Sequence, residues 1–333
     1  MSLRVREKRG GDRPLAWRAS TVGLVGVLLL MGLCSLAAAR EKAPKPQVYK
    51  GRVTAIEPWQ VTIQGRDGKE LTLRPQEDFT EKLAVGAEVT ATFIVKDGAN
   101  VLQFLDYPLE NFFGPPESIR AQVKKIAILP TSDVPGGDAL VDVVSKYLGS
   151  KVGWFVAPRV LAEELRARST KTPSTLSLID PKTGEVDLGS YARQHQELIK
   201  RLASETSVDA VLEATVESVM ATFQDAVASW DGVSEGVATN KARFLSLLSA
   251  TGENGEVPAA TLVLKLRDGE GKLLWCNRRG FSVLAIHVGF GNKFRDRPIA
   301  EVLQDTADVE RWLGEVFSSF LPVRETGKQA AQK

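Results

Sequence analysis

The run Lys124-Lys125-Ile126-Ala127-Ile128-Leu129-Pro130, followed closely by Gly136-Gly137, restricts the second half of this chain more than any other stretch. A short apolar run between lysines and a proline reads as a central strand covered on both faces. Pro130 cannot donate to a sheet ladder, so the strand is expected to end there. Thr131 to Gly137 carry turn residues. Leu140, Val143, Val144, Tyr147 and Leu148 then recur at helical spacing. Strand, tight turn and helix together start an α/β domain. The glycine pair lacks both the three-glycine dinucleotide spacing and the Gly-Lys-Ser/Thr ending of a phosphate loop, so it reads as a plain turn.

The chain has 333 residues, room for about two domains of ordinary size. Its formal net charge is +2, and no basic run interleaved with aromatics follows the N-terminus. Both features argue against a dedicated nucleic-acid binder. The two cysteines, Cys34 and Cys276, make neither a disulfide framework nor a C-x-x-C motif. The two histidines, His195 and His287, make no His-rich metal site. No cofactor and no metal are expected.

Arg4, Arg6, Lys8, Arg9, Arg13 and Arg18 form a basic lead, and Thr21 to Leu33 are almost wholly apolar. Small residues follow, with Ala37 and Ala39 placed for signal-peptidase cleavage before Arg40. Residues 1–39 therefore read as a secretory signal peptide removed on export. The alternatives are an uncleaved membrane anchor and a lipoprotein through Cys34. Leu33, just before that cysteine, is not the small residue a lipobox wants. Residues 40–47, with Lys42, Pro44, Lys45 and Pro46, read as an extended linker.

Residues 48–105 read as a small all-β domain. Val48, Val53, Ile56, Val61, Ile63, Leu71 and Leu73 mark short strands, and Asp67-Gly68 and Asp97-Gly98 are hairpin turns. Leu83, Gly86, Val89, Ala91 and Phe93 are expected to form one kinked strand. The spacing suits a five-stranded barrel of SH3 or OB type. Trp59 is the one aromatic placed to stack a base, and it is expected to cover the barrel end instead. Residues 106–118 hold Pro108, Gly114, Pro115 and Pro116, a boundary by composition, with Phe112-Phe113 packing it onto a neighbour.

Residues 119–323 read as the second domain, and 324–333 as a solvated tail. After the first strand and helix come a strand at Trp154-Phe155-Val156 and a helix opened by Pro158. An irregular Thr170 to Gly189 precedes a helix over Tyr191 to Glu205. Ala210 to Met220 are expected as a long strand, and Thr261 to Leu266 and Leu273 to Trp275 as a hairpin. Phe281 to Val288 are one more strand, and Ile299 to Leu321 a closing helix. The fold class expected for the whole is α+β: a small barrel followed by a mixed-sheet α/β sandwich.

The second domain resembles the α/β domain of bacterial envelope proteins related to the curli secretion channel and the TolB N-terminal domain. The resemblance lies in Ile126-Ala127-Ile128-Leu129-Pro130 and in Val208-Asp209-Ala210-Val211-Leu212-Glu213-Ala214-Thr215-Val216. It continues in Leu264-Lys265-Leu266-Arg267-Asp268 with Gly271-Lys272-Leu273-Leu274-Trp275. It implies one mixed sheet flanked by helices. It leaves function open, because that fold serves channel assembly, synthase activation and scaffolding. The chain departs from a channel in lacking a pair of long alternating segments to line a pore.

No nucleophile with a neighbouring base is evident. Ser229, Ser234 and Ser282 lie outside any Gly-x-Ser-x-Gly motif. His195, on a polar helix, is expected as a solvated surface residue, and His287 as a strand-end residue. Glu213, Glu217 and Asp225 are expected on a solvated face, and Arg278-Arg279 in a charged turn between strands. Trp230 and Asp231, in a glycine-bearing segment without clear period, are the candidate protein-interaction residues. The reading is a non-enzymatic exported envelope protein with an envelope protein as partner, near the membrane and without nucleic acid. A homo-oligomer stays open. The alternative is an envelope hydrolase or sugar-binding enzyme with its site in residues 226–258.

Overall fold

The computed structural model describes residues 44–132, 134–171, 188–224, 226–237, 254–288 and 294–321. The expected export segment with Cys34, Ala37 and Ala39, residue Asp225, most of Thr170 to Gly189 and the tail lie outside them.

Five strands, β1 (Gln47–Glu57), β2 (Gln60–Gly65), β3 (Glu70–Leu73), β4 (Glu88–Lys96) and β5 (Ala99–Asp106), build a curled antiparallel sheet in the order β3-β2-β1-β4-β5. Its edges meet at Arg74, whose N–H donates to the Asn100 carbonyl (2.8 Å) and whose carbonyl accepts from the Leu102 N–H (2.9 Å). Asp97 and Gly98 both take positive φ, 53° and 73°, as a two-residue hairpin between right-twisted strands requires. Val53, Val61, Ile63, Leu73, Leu83 and Ala91 fill the interior. The expected kinked strand from Leu83 starts only at Glu88, because Gly86, at φ 94°, belongs to the turn before it. Trp59 does not cover the barrel end; it sits in the β1–β2 turn and is 53% exposed.

The expected linker is not free chain. Strand β6 (Glu110–Phe112) adds to the edge of the larger sheet, and helix α1 (Pro116–Gln122) follows at once. Next come β7 (Lys125–Ser132), α2 (Gly137–Tyr147), β8 (Phe155–Val156), α3 (Arg159–Lys171), α4 (Leu188–Thr206) and β9 (Ala210–Gln224). Strands β10 (Val227–Trp230), β11 (Val233–Gly236), β12 (Asn254–Asp268) and β13 (Leu273–Val283) continue the sheet, and β14 (Ala285–His287) pairs with β15 (Phe294–Asp296). Helices α5 (Ile299–Val302) and α6 (Thr306–Val316) and a short 3-10 turn, Ser318–Phe320, close the described chain. Both sheets belong to one compact unit, Pro46–Lys333.

The larger sheet runs β11-β10-β9-β12-β13-β6, with β7 parallel to the first half of β9 and β8 outside β7. Strand β7 does not stop at Pro130. The Lys125 carbonyl accepts from Asp209 beside β9, whereas the Ile126 carbonyl accepts from Ala157 on the β8 side. Even-numbered residues of β7 thus face β8, which pairs only with Lys125 and Ile126. At Pro130 that neighbour has ended, so the missing N–H forfeits no ladder bond.

One face of the sheet, with Leu212, Ala214, Leu262 and Leu264, packs against α2 and α6. The other face meets α3 and α4 only over β7 and the start of β9, where Ala127, Leu129 and Val211 contact Leu165, Ile199 and Leu202. Phe112 joins the first core through Trp275 and Phe320.

Four further expectations are corrected. Strands β9 and β12 each run 15 residues and pair along their whole length. Strand β13 is continuous through Arg278-Arg279, so those arginines lie in a strand and not in a turn. Its continuity also splits the expected Phe281 to Val288 strand. The closing helix is broken, because the Asp305 carboxylate accepts the Asp308 N–H (3.1 Å) and starts α6 afresh.

Candidate functional site

Strict alternation along β9, β12 and β13 sets Glu213, Thr215, Glu217, Val263, Lys265, Arg267, Cys276 and Arg278 on the face away from α2 and α6. That face is covered by α4 at one side and by the five-stranded sheet at the other, and a groove with charged side chains on its walls runs between them. Its mouth, about 580 Å³, lies at the end of β7 beside Thr131, Ser132, Thr215 and Glu217. A narrower middle, about 180 Å³, passes beneath Tyr107 and Leu109 over Val263. The far end, about 500 Å³, lies between Glu81 and the His195 side of α4. Thr215 and Glu217 line both of the first two cavities, and Glu81, Lys82 and Lys265 line both of the last two.

The charged groups of the groove close on one another. Glu81, between β3 and β4, takes Lys265 Nζ on one oxygen and Arg267 Nη2 on the other, each at 2.7 Å. Arg267 Nε also meets Glu213 Oε1 at 2.6 Å, and His195 Nε2 lies 2.8 Å from the same oxygen. Arg267 and Glu213 side chains are only 8% and 12% exposed. A charge so buried costs several kcal/mol unless a partner and hydrogen bonds offset it. Burial alone would raise the carboxyls, yet Lys265 and Arg267 hold Glu81 down at about 2. Against the same opposition, His195 and Arg267 keep Glu213 below its ordinary value. Burial would lower Arg267, and Glu213 and Glu81 outweigh it and raise the guanidinium.

A second set lies along the groove. Arg278 Nε meets Asp231 Oδ2 at 3.0 Å and its Nη1 meets Glu217 Oε2 at 2.8 Å. The Thr261 hydroxyl donates to Asp231 Oδ2 at 2.6 Å. Neutral bonds complete the junction between the two sheets. Buried Asn111 accepts the Ala84 N–H (3.3 Å) and donates to the Lys82 carbonyl (3.1 Å). Within the larger sheet, Trp275 Nε1 donates to the Glu110 carboxylate (2.8 Å).

A carboxylate kept below its ordinary pKa is a weak general base near neutrality. The thiol of Cys276, pushed up to about 11 chiefly by burial, carries almost no thiolate there. Among the described residues, no group of three or more His, Cys, Asp and Glu could hold a metal ion. No described helix is long and apolar enough to cross a membrane.

Trp230 and Asp231 are not a solvent-facing pair. Trp230 is 9% exposed, packed with Phe223, Val257 and Val283, and its indole N–H donates to the Ala260 carbonyl at 3.2 Å. Asp231 and Gly232, at φ 38° and 74°, form the two-residue turn of the β10–β11 hairpin. The Asp-Gly signal used at 67–68 and 97–98 was therefore present again. His195 is half-buried against Glu213 instead of solvated, and Glu213 is buried in its network. Glu217 and Arg278 are paired across the sheet, and Arg279 meets Glu315. His287 ends β14, buried beside Phe294. Ser229 bonds to Ser234, and Arg297 reaches Ser282. Sequence reasoning missed Glu81, Lys265 and Arg267. Their one signal was the charge at alternate positions of the apolar run Leu264-Lys265-Leu266-Arg267, opposite Glu213.

No family model matches the sequence. No curated protein matches it. Among solved structures, the chain is similar to the 1.5 Å structure of apo-CusF residues 6–88 from Escherichia coli. The identity is 14%, over 21% of this chain and 95% of that one, with a TM-score of 0.17. A likeness at that score carries no argument about function.

Proposed function

We propose that this is an exported envelope protein that works without catalysis, as an interaction or assembly module in envelope biogenesis or secretion. In this reading the first sheet is an SH3- or OB-type barrel, and the second region is an α/β domain of the curli-channel and TolB N-terminal kind. The observation that carries the reading is the closed ion network of Glu81, Lys265, Arg267, Glu213 and His195. Its charges are committed to fixing one sheet on the other, and a rigid pair of surfaces is what an assembly module needs. Exposed apolar side chains on the outer face of β1, β4 and β5 support contact with a partner. Val48 and Phe104, 63% and 64% exposed, align through Thr92.

Affinity capture of the tagged full chain from the envelope tests this. The expected result is a reproducible envelope protein partner that is lost with Phe104→Asp. The purified chain should also show no turnover of wall glycan or ester substrates. Turnover abolished by Glu213→Gln or Glu217→Gln would contradict the reading. N-terminal sequencing of the same material should start at Arg40; an intact Met1 or a lipid on Cys34 would overturn the cleavage.

A further inference from the structure

The groove described above has a use beyond joining the two sheets. The charged groups of its middle cavity are three carboxylates, Glu81, Glu213 and Glu217, against three cations, Lys82, Lys265 and Arg278. The balance gives a free anion such as phosphate no net attraction. Each carboxylate lies beside a cation, so acceptors and donors alternate along the walls. The desolvation of these ions is already offset by their mutual pairing.

The Tyr107 hydroxyl adds a further donor and acceptor at the middle cavity. The ring lines the middle cavity, packed edge-on against Phe79 at 5.7 Å. Its hydroxyl has no hydrogen-bond partner among the described residues. The middle cavity, about 180 Å³, has room for roughly six waters at ~30 Å³ each, the room needed by one hydroxylated ring. Wider cavities at both ends let a chain continue past it.

The floor decides between two kinds of chain. Strands β9, β12 and β13 are interior strands whose backbone groups are taken up by their ladders. An extended peptide could not add to them as a further strand, because that mode needs a sheet edge. A sugar hydroxyl both donates and accepts, which matches side chains of alternating character.

We infer that this groove binds a neutral saccharide chain, with one ring beneath Tyr107 over Val263 and its hydroxyls bonded to Glu217, Lys265 and Tyr107. The inference goes beyond the docking reading and stands without it.

Calorimetric titration of the full chain with chitotetraose and with maltotetraose tests it, with inorganic phosphate and a neutral extended peptide as the other probes. At least one oligosaccharide is expected to bind. Tyr107→Phe, which removes only the hydroxyl, should weaken it about fivefold, the range of one hydrogen bond, with the unfolding midpoint unchanged. Val263→Phe, which fills the middle cavity, should abolish binding; if that variant does not fold, Tyr107→Phe decides alone. No binding of either oligosaccharide at millimolar concentration would overturn the inference. So would binding insensitive to these variants, or binding of only the peptide or phosphate. Cleavage of a bound oligosaccharide would count against the non-catalytic reading and leave the site standing.

Discussion

Replacing Trp230 by alanine should destabilise this protein by about 4 kcal/mol. A buried tryptophan removes roughly 200 Å² from water, which at ~25 cal/mol per Å² gives about 5 kcal/mol as an upper figure. The indole also donates to the Ala260 carbonyl, where the β12–β13 register shifts; losing that bond adds about 1 kcal/mol. The surroundings have little freedom to collapse. A Cβ on Gly280 would lie 2.6 Å from Trp230 Nε1, so the ring already rests on the β13 backbone. Large aromatic deletions in such settings cost about 3–5 kcal/mol. Trp230→Phe keeps most of the apolar area and loses the donor, and should cost about 1–2 kcal/mol. Urea unfolding followed by circular dichroism measures both, with the slope checked for constancy. A loss below about 1 kcal/mol for Trp230→Ala at unchanged slope would refute the argument, because surface substitutions behave that way.

Glu81 supplies a pH dependence. Its pKa lies at about 2 in the folded chain against an ordinary 4.5, so its contribution is complete above 4.5 and falls as pH drops toward 2. With its side chain 45% exposed, solvent screening limits the loss to about 1 kcal/mol, and Glu81→Gln should flatten that part of a stability-against-pH curve. Cys276, buried and pushed up to about 11, should resist maleimide at pH 8 in a Cys34→Ser background and react fully in urea; fast native labelling would contradict its burial. Gly232→Ala should cost about 1–3 kcal/mol by thermal unfolding, since Gly232 sits at φ 74° and a Cβ there would lie 2.7 Å from Leu109; a neutral result would contradict the turn geometry.

Local signals carried the fold a long way. Asp67-Gly68 and Asp97-Gly98 lie at the turns they predict, and Ile126 to Leu129 are a buried strand as expected, although it lies near the sheet edge and not at its centre. Apolar spacing locates α2 and α4 because each buries one face on the sheet. The same reasoning misjudged Trp230, because a large aromatic beside Asp-Gly was weighed as a surface anchor. The turn instead folds the indole back over β12. It misjudged Arg278-Arg279 because two adjacent charges suggest a turn, and the carboxylates that compensate Arg278 come from β9 and the β10–β11 turn. The groove was illegible for a deeper reason. Glu81 and Arg267 are 186 positions apart, and each alone looks like an ordinary surface charge. Only the pairing of β9 with β12, and the docking of the first sheet on that face, makes them neighbours.

The account rests on the claim that the groove charges form a coupled network holding the two sheets together. A double-mutant cycle on Glu81 and Arg267, using Glu81→Gln and Arg267→Met with unfolding free energies from urea titration, tests that claim most directly. Residues sharing such a network are expected to couple by about 1–3 kcal/mol. Arg267→Met alone should be the costlier change, because it strands buried Glu213. Single-mutant effects that add to within about 0.3 kcal/mol would contradict the network and leave the junction without its central contact.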